Sequence, residues 1–256
     1  MDYKTLEHSR NSSKKMREVI DNFRHWYSKE PVKSLFVERE GTETNLIEVK
    51  DERSRTKVST LENTDDIRIF IAHINPEWLL FNDNTGLHKM HHKWWLDRKK
   101  VHIYATINYD LYLPMFRNVT SLIIESERKV NLKDVIDSMT CITLLKLSCP
   151  FGVECEDEEL EIIRNKTANL KSLQLDMDNQ KSPNNHSILK FIEEGNLCPT
   201  RTCLYFSILG TSESELENML KNSERVRNVQ NHGPTWIIRM NNQKEVALSV
   251  DIYAMP

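Results

Sequence analysis

The phrase Thr120-Ser-Leu122-Ile-Ile124 places apolar side chains at alternate positions, and the chain then writes it again. Thr143-Leu-Leu145-Lys-Leu147, Lys171-Ser-Leu173-Gln-Leu175 and Thr202-Cys-Leu204-Tyr-Phe206 align with it on their central leucines, which stand 23, 28 and 31 residues apart. A period of two is the mark of a β-strand with one buried face. After each phrase comes a polar turn, then a segment whose apolar residues follow helical spacing. Leu132, Val135, Ile136 and Met139 fall at i, i+3, i+4 and i+7 in the first segment. Leu160, Ile163, Thr167 and Leu170 fall at i, i+3, i+7 and i+10 through "DEELEIIRNKTANL" in the second. Ile188, Leu189, Phe191 and Ile192 crowd one side of the third, and Leu216, Met219 and Leu220 mark the fourth. Terminal signals agree: Asp157 or Glu158 suits a positive helix N-terminus, Gly195 a C-cap, and Ser212 or Ser214 an N-cap.

One strand and one helix cannot bury their apolar faces alone, but stacked copies bury them against each other. Returns of this length imply parallel strands with helical crossovers. The expected fold is therefore α/β, an irregular leucine-rich-repeat-like strand–helix solenoid with parallel strands. An ordinary α/β layer whose strands happen to sound alike is the alternative. Fainter copies lie upstream, where the strand-like Asp66–Ile74 is followed by "NPEWLLF" and Lys100–Ile107 by "NYDLYLPMF". "VKSLFVERE" and "NLIEVKD" read as a hairpin turning near Gly41. The C-terminal "TWIIRMNNQKEVALSVDIY" reads as a second hairpin turning at Asn241-Asn242, placed to cap the open edge of the sheet. The division expected is a short helical N-terminal segment at 1–30 and a strand–helix repeat domain at 31–256.

The N-terminal helical stretch "LEHSRNSSKKMREVIDNF" runs directly into the strand "KSLFVERE". That order resembles the closing helix of an F-box and the substrate-binding region of the nematode F-box-associated families, and the phrases around Leu122, Leu145 and Leu173 resemble leucine-rich repeats. The resemblance implies substrate recognition for a ubiquitin ligase, with transfer supplied by other subunits. Only 29 residues precede Glu30-Pro31 and the usual opening Leu-Pro is missing, so docking to a Skp-type adaptor is not expected.

Composition narrows the classes. The net charge is −3 in 256 residues and only six are glycine. No global basic field recruits nucleic acid or an anionic membrane, and no glycine-rich phosphate cradle is present. Neither a signal peptide nor a membrane span is read, and the five cysteines read as reduced thiols of a cytoplasmic or nuclear protein. No nucleophile elbow, Walker loop or dinucleotide fingerprint occurs, so neither a catalytic residue nor a cofactor is expected.

The stretch "LHKMHHKWW" and its continuation to Lys100 interleave basic and aromatic residues. Lys93, Trp94, Trp95 and Arg98 are the candidate partner-binding residues, since Trp and Arg are enriched in protein-binding hot spots. The expected partner is a protein; a nucleic acid gripped by the Lys89–Lys100 strip is the alternative. His88 and His92 would share a helix face, with His73, His102 or Asp97 as a distant third ligand, but the pair lacks the acidic residue of the metalloprotease pattern and no metal is expected. The acidic run "ECEDEELE" reads as a solvated helix start.

Overall fold

The computed structural model describes residues 34–40, 43–49, 55–61, 76–82, 85, 87–89, 98–150, 152–176, 182–209 and 213–253. The chain divides into two compact units, Met1–Arg98 and Lys99–Pro256. The segment 1–30, the strand expected at Asp66–Ile74 and the turn around Gly41 lie outside the described residues.

In the first unit, β1 (Ser34–Glu40) and β2 (Glu43–Val49) form the expected antiparallel hairpin, with Val37 opposite Leu46. β3 (Arg55–Leu61) runs antiparallel to β2, and β4 (Trp78–Asn82) runs parallel to β1. Leu35, Val37, Leu46, Leu79 and Phe81 are fully buried. "NPEWLLF" thus supplies a strand and not the helical half of a repeat. Leu79 and Phe81 stand two apart and bury one face of β4, which is the spacing of a strand.

The second unit follows the leucine phrases. Its strands are β5 (Lys100–Thr106), β6 (Ser121–Ser126), β7 (Ile142–Ser148), β8 (Thr167–Leu175), β9 (Arg201–Leu209), β10 (Val226–His232), β11 (Thr235–Met240) and β12 (Glu245–Tyr253). They lie side by side in the order β5-β6-β7-β8-β9-β12-β11-β10. The pairs from β5 through β9, and β9 with β12, are parallel. The central leucines form one ladder: Val101, Leu122, Leu145, Leu173, Leu204 and Leu248 are register partners in succession, none more than 1% exposed.

The crossovers are a 3-10 helix at Tyr109–Asn118 and the α-helices α1 (Leu132–Ser138), α2 (Asp157–Lys166), α3 (Asn185–Glu194) and α4 (Glu213–Asn222). From β5 to β9 each return steps one strand in the same direction. Right-handed crossovers then place their helices on one face of the sheet. That face is the core. Val135, Ile136, Leu160, Ile163, Ile188, Phe191, Leu216 and Leu220 are buried on the helices, and Phe191 meets Phe206 of β9 edge-on at 6.3 Å.

Local chemistry sets the helix ends. Asn184 caps α3 by accepting from the Ser187 amide at 2.9 Å, and Asn131 caps α1. Gly195 is the C-cap of α3, where a Cβ would meet the Phe191 carbonyl oxygen at 2.5 Å. The acidic run opens α2: Glu156 is the N-cap, and its amide donates to Glu159 Oε2 at 3.0 Å. α4 begins at Glu213, which puts Ser214 inside its first turn.

Two expectations require correction. The second helix does not continue through "TANL". It stops at Lys166, where Thr167 Oγ1 donates to the Arg164 carbonyl, and the strand begins at once. Asn169 takes a left-handed φ of 53°, and Leu170 exchanges backbone hydrogen bonds with Asn196 and Cys198. Tertiary strand pairing there overrides helical spacing. The C-terminal hairpin forms as read, Trp236 opposite Leu248, but it does not cap the edge. β12 enters the sheet beside β9, and β10 lies outermost among the described strands. β10 buries no residue fully, so it carries no period-two signal to read.

Candidate recognition face

Opposite parity along the strands defines the other face of the second unit's sheet. His102, Ile123, Lys146, Gln174, Tyr205 and Ser249 are successive register partners across β5, β6, β7, β8, β9 and β12. Each alternates with a rung of the leucine ladder, and each is half-buried where the leucines are closed off. Leu144, Ser172 and Cys203 form a flanking row, and Glu125 and Ser148 another. The row from His102 to Ser249 spans five interstrand steps, about 24 Å.

His102 Nε2–H donates to Glu125 Oε1 at 2.9 Å, and the imidazole stacks on Tyr104 with ring centroids 3.6 Å apart. Burial lowers the pKa of His102 below its ordinary 6.5, outweighing the hydrogen bond and charge of Glu125, which raise it; Lys146 lowers it further. The Glu125 carboxylate is an acceptor, so the contact places a proton on the His102 nitrogen that faces it. At the far end Thr235 and Ser249 share a hydroxyl hydrogen bond of 2.9 Å.

Beyond the C-terminal ends of β6 and β7 lies a cleft of about 390 Å³ lined by Lys129, Asn131, Lys133, Glu154, Glu156 and Glu159 among others. Its charges are largely satisfied internally: Lys129 pairs with Glu154, Lys133 lies 3.7 Å from Glu158, and Glu159 closes the α2 cap. The Asp157 carboxylate accepts from the Asn184 amide at 2.9 Å, tying the start of α2 to that of α3. The acidic run thus works as helix-terminal structure.

The residues singled out from sequence are placed as follows. Lys93, Trp94, Trp95 and His92 lie outside the described residues. Arg98 is only 4% exposed, inside the fold and not on a surface strip. His88 sits half-buried in a 3-10 turn at Leu87–Lys89. His102 is engaged by Glu125 on β6. No group of three or more His, Cys, Asp or Glu side chains among the described residues could hold a metal ion, and no helix among them is long and apolar enough to cross a membrane. Cys149 and Cys155 are buried while Cys203 is exposed. The His102–Tyr205 row escaped sequence reasoning because period-two analysis identifies the buried partner of each alternation and passes over the other. Register, once known, assembles the leftover positions into a row. No protein-family model, curated protein or solved structure matches this chain.

Proposed function

We propose that this chain is a non-enzymatic protein-recognition module, and that the face of its parallel sheet opposite the described helices holds the partner. The observation that carries this reading is the half-exposed row His102–Ile123–Lys146–Gln174–Tyr205–Ser249, backed rung for rung by the buried leucine ladder. A rigid ladder fixes the spacing of the side chains it presents, so the face is pre-organised and binding orders little new backbone. Its composition suits a protein partner. Aromatic, aliphatic and amide side chains dominate it and charge is sparse, as in the cores of protein interfaces.

We read the strand–helix returns as an irregular leucine-rich-repeat-like solenoid. By its resemblance to F-box-associated chains, the function is substrate recognition for a ubiquitin ligase whose catalytic steps lie in other subunits. The basic strip with Trp94 and Trp95 remains a second candidate contact for the same protein partner.

The test is affinity capture with nuclease present, comparing wild type, a face variant (Ile123→Asp with Tyr205→Ala) and a helix-side variant (Lys133→Ala with Glu158→Ala). Partners held by wild type and the helix-side variant but lost by the face variant support the reading. Capture indifferent to the face substitutions, or abolished by nuclease, overturns it. Co-expression with a Skp-type adaptor should yield no stoichiometric complex on gel filtration.

A further inference from the structure

We infer that the partner presents a carboxylate to Lys146, so that the ligand is a protein segment carrying Asp or Glu between apolar side chains. The inference rests on the recognition-face reading and names the chemistry of its occupant. Lys146 stands at the centre of the row, between Ile123 on β6 and Gln174 on β8, with Leu144 and Ser148 on either side along β7. Its side chain is half-buried, yet among the described residues no carboxylate lies within ion-pair distance of its Nζ. The carboxylate on the neighbouring strand, Glu125, is turned to His102.

Lysines on the helix side behave differently. Lys129 pairs with Glu154, Lys166 with Asp137, Lys190 with Glu161 and Lys221 with Glu217. An ammonium held in a half-dehydrated row of Ile, Leu, Gln and Tyr gains most from an incoming anion, because the surrounding apolar surface excludes water once covered. Neighbouring apolar groups ask for apolar flanks on the same ligand.

The size of the face selects a segment over a folded domain. The row is about 24 Å long, and Leu144 to Ser148 adds about 13 Å along the strand. That gives about 300 Å², well below the roughly 800 Å² per partner of a standard interface between folded proteins. Laid across the strands, it matches one extended stretch of about seven residues, or about four turns of a helix.

A phage-displayed library of random peptides, panned against the immobilised full chain, tests this directly. The expected consensus has one Asp or Glu flanked by apolar residues, with the selected peptide losing about tenfold or more in affinity on Lys146→Met. Panning against Lys146→Glu should replace the acid with Lys or Arg, and Gln174→Lys should tolerate a second acid beside the first. Unfolding midpoints of these variants, expected to match wild type, separate lost recognition from lost folding. A consensus without an acid, or acidic peptides that bind Lys146→Glu unchanged, overturns the inference. If such peptides still fail on Tyr205→Ala, the recognition face stands and only its anion preference falls. Enrichment of no peptide, or of peptides indifferent to every face substitution, overturns both.

Discussion

Leu145 and Lys146 are sequence neighbours that point to opposite faces of β7, and their truncation should separate core from surface. Leu145 has no exposed surface and stands in register between Leu122 and Leu173. Leu145→Ala removes the equivalent of three methylenes, about 2.4 kcal/mol of transfer energy at roughly 0.8 kcal/mol each. The space left cannot close easily, because both neighbours are fixed by strand pairing, so the total should reach about 3–4 kcal/mol. For a unit of 158 residues (256 − 98), each kcal/mol lowers Tm by about 2–4 °C, and the expected loss is about 6–16 °C. Lys146→Ala removes a half-exposed side chain without an ion-pair partner among the described residues and should stay within about 0.5 kcal/mol of wild type. Urea unfolding followed by circular dichroism, with a thermal melt alongside, measures both at a common m-value. A Leu145→Ala midpoint equal to wild type, or a Lys146→Ala loss as large as that of Leu145→Ala, would show that the ladder has been assigned to the wrong face.

Three further outcomes are expected. Asn184→Ala should cost about 1 kcal/mol and Asn184→Gly only a few tenths, read from the same urea curves, since the Asn184 side chain caps α3; equal losses for the two would point away from capping. His102 should titrate below 6.5 by NMR. Its folded pKa is depressed, so its contribution to stability is complete above pH 6.5 and is lost as pH falls through the folded value, and His102→Gln should flatten that part of the stability–pH curve; a titration above 6.5 contradicts the burial of the ring. Cys155 is fully buried and its thiol pKa is raised, chiefly by burial, whereas Cys198 is lowered, chiefly by the Thr200 hydroxyl. Alkylation read by mass spectrometry should mark Cys198 first and Cys155 only after unfolding, and equal rates for the two would refute these placements.

The strands from Lys100 to Phe206 were legible because each buries alternate residues against a layer of helices, and the strand–turn–helix order forces parallel pairing. Even the register could be read, since aligning Leu122, Leu145, Leu173 and Leu204 by eye matches their hydrogen-bonded partners. What escaped reading shares one cause. β10 has Val226 and Val229 half-exposed and the rest of its residues exposed, so its strand identity comes from pairing with β11 and not from its own pattern. The length of α2 was overestimated because Leu170 fits a helical period by chance, while its backbone is claimed by Asn196 and Cys198, more than 25 residues downstream. Local periodicity reports what a segment buries, and pairing partners distant in sequence leave no local trace.

The same logic explains why this second candidate surface could not be read from the sequence. The tryptophan- and lysine-rich strip drew notice by composition, yet composition only ranks residue types. The row His102–Ile123–Lys146–Gln174–Tyr205 contains nothing unusual in any single strand, and its members come from five separate segments. They become a surface because the leucine ladder fixes the register of their neighbours: a slip of one residue in β7 alone would send Lys146 into the core and Leu145 to solvent. The core and the face behind it are therefore one constraint expressed on two sides of the sheet. Substitutions that loosen the ladder should blur the spacing of the face even where they leave its side chains untouched. On this reasoning Leu145→Val, small enough to preserve folding, should weaken an acidic peptide selected on the face while Lys146 itself is intact. Peptide affinity unchanged in a Leu145→Val protein with a measurably lowered unfolding midpoint would show that the face does not depend on the ladder behind it.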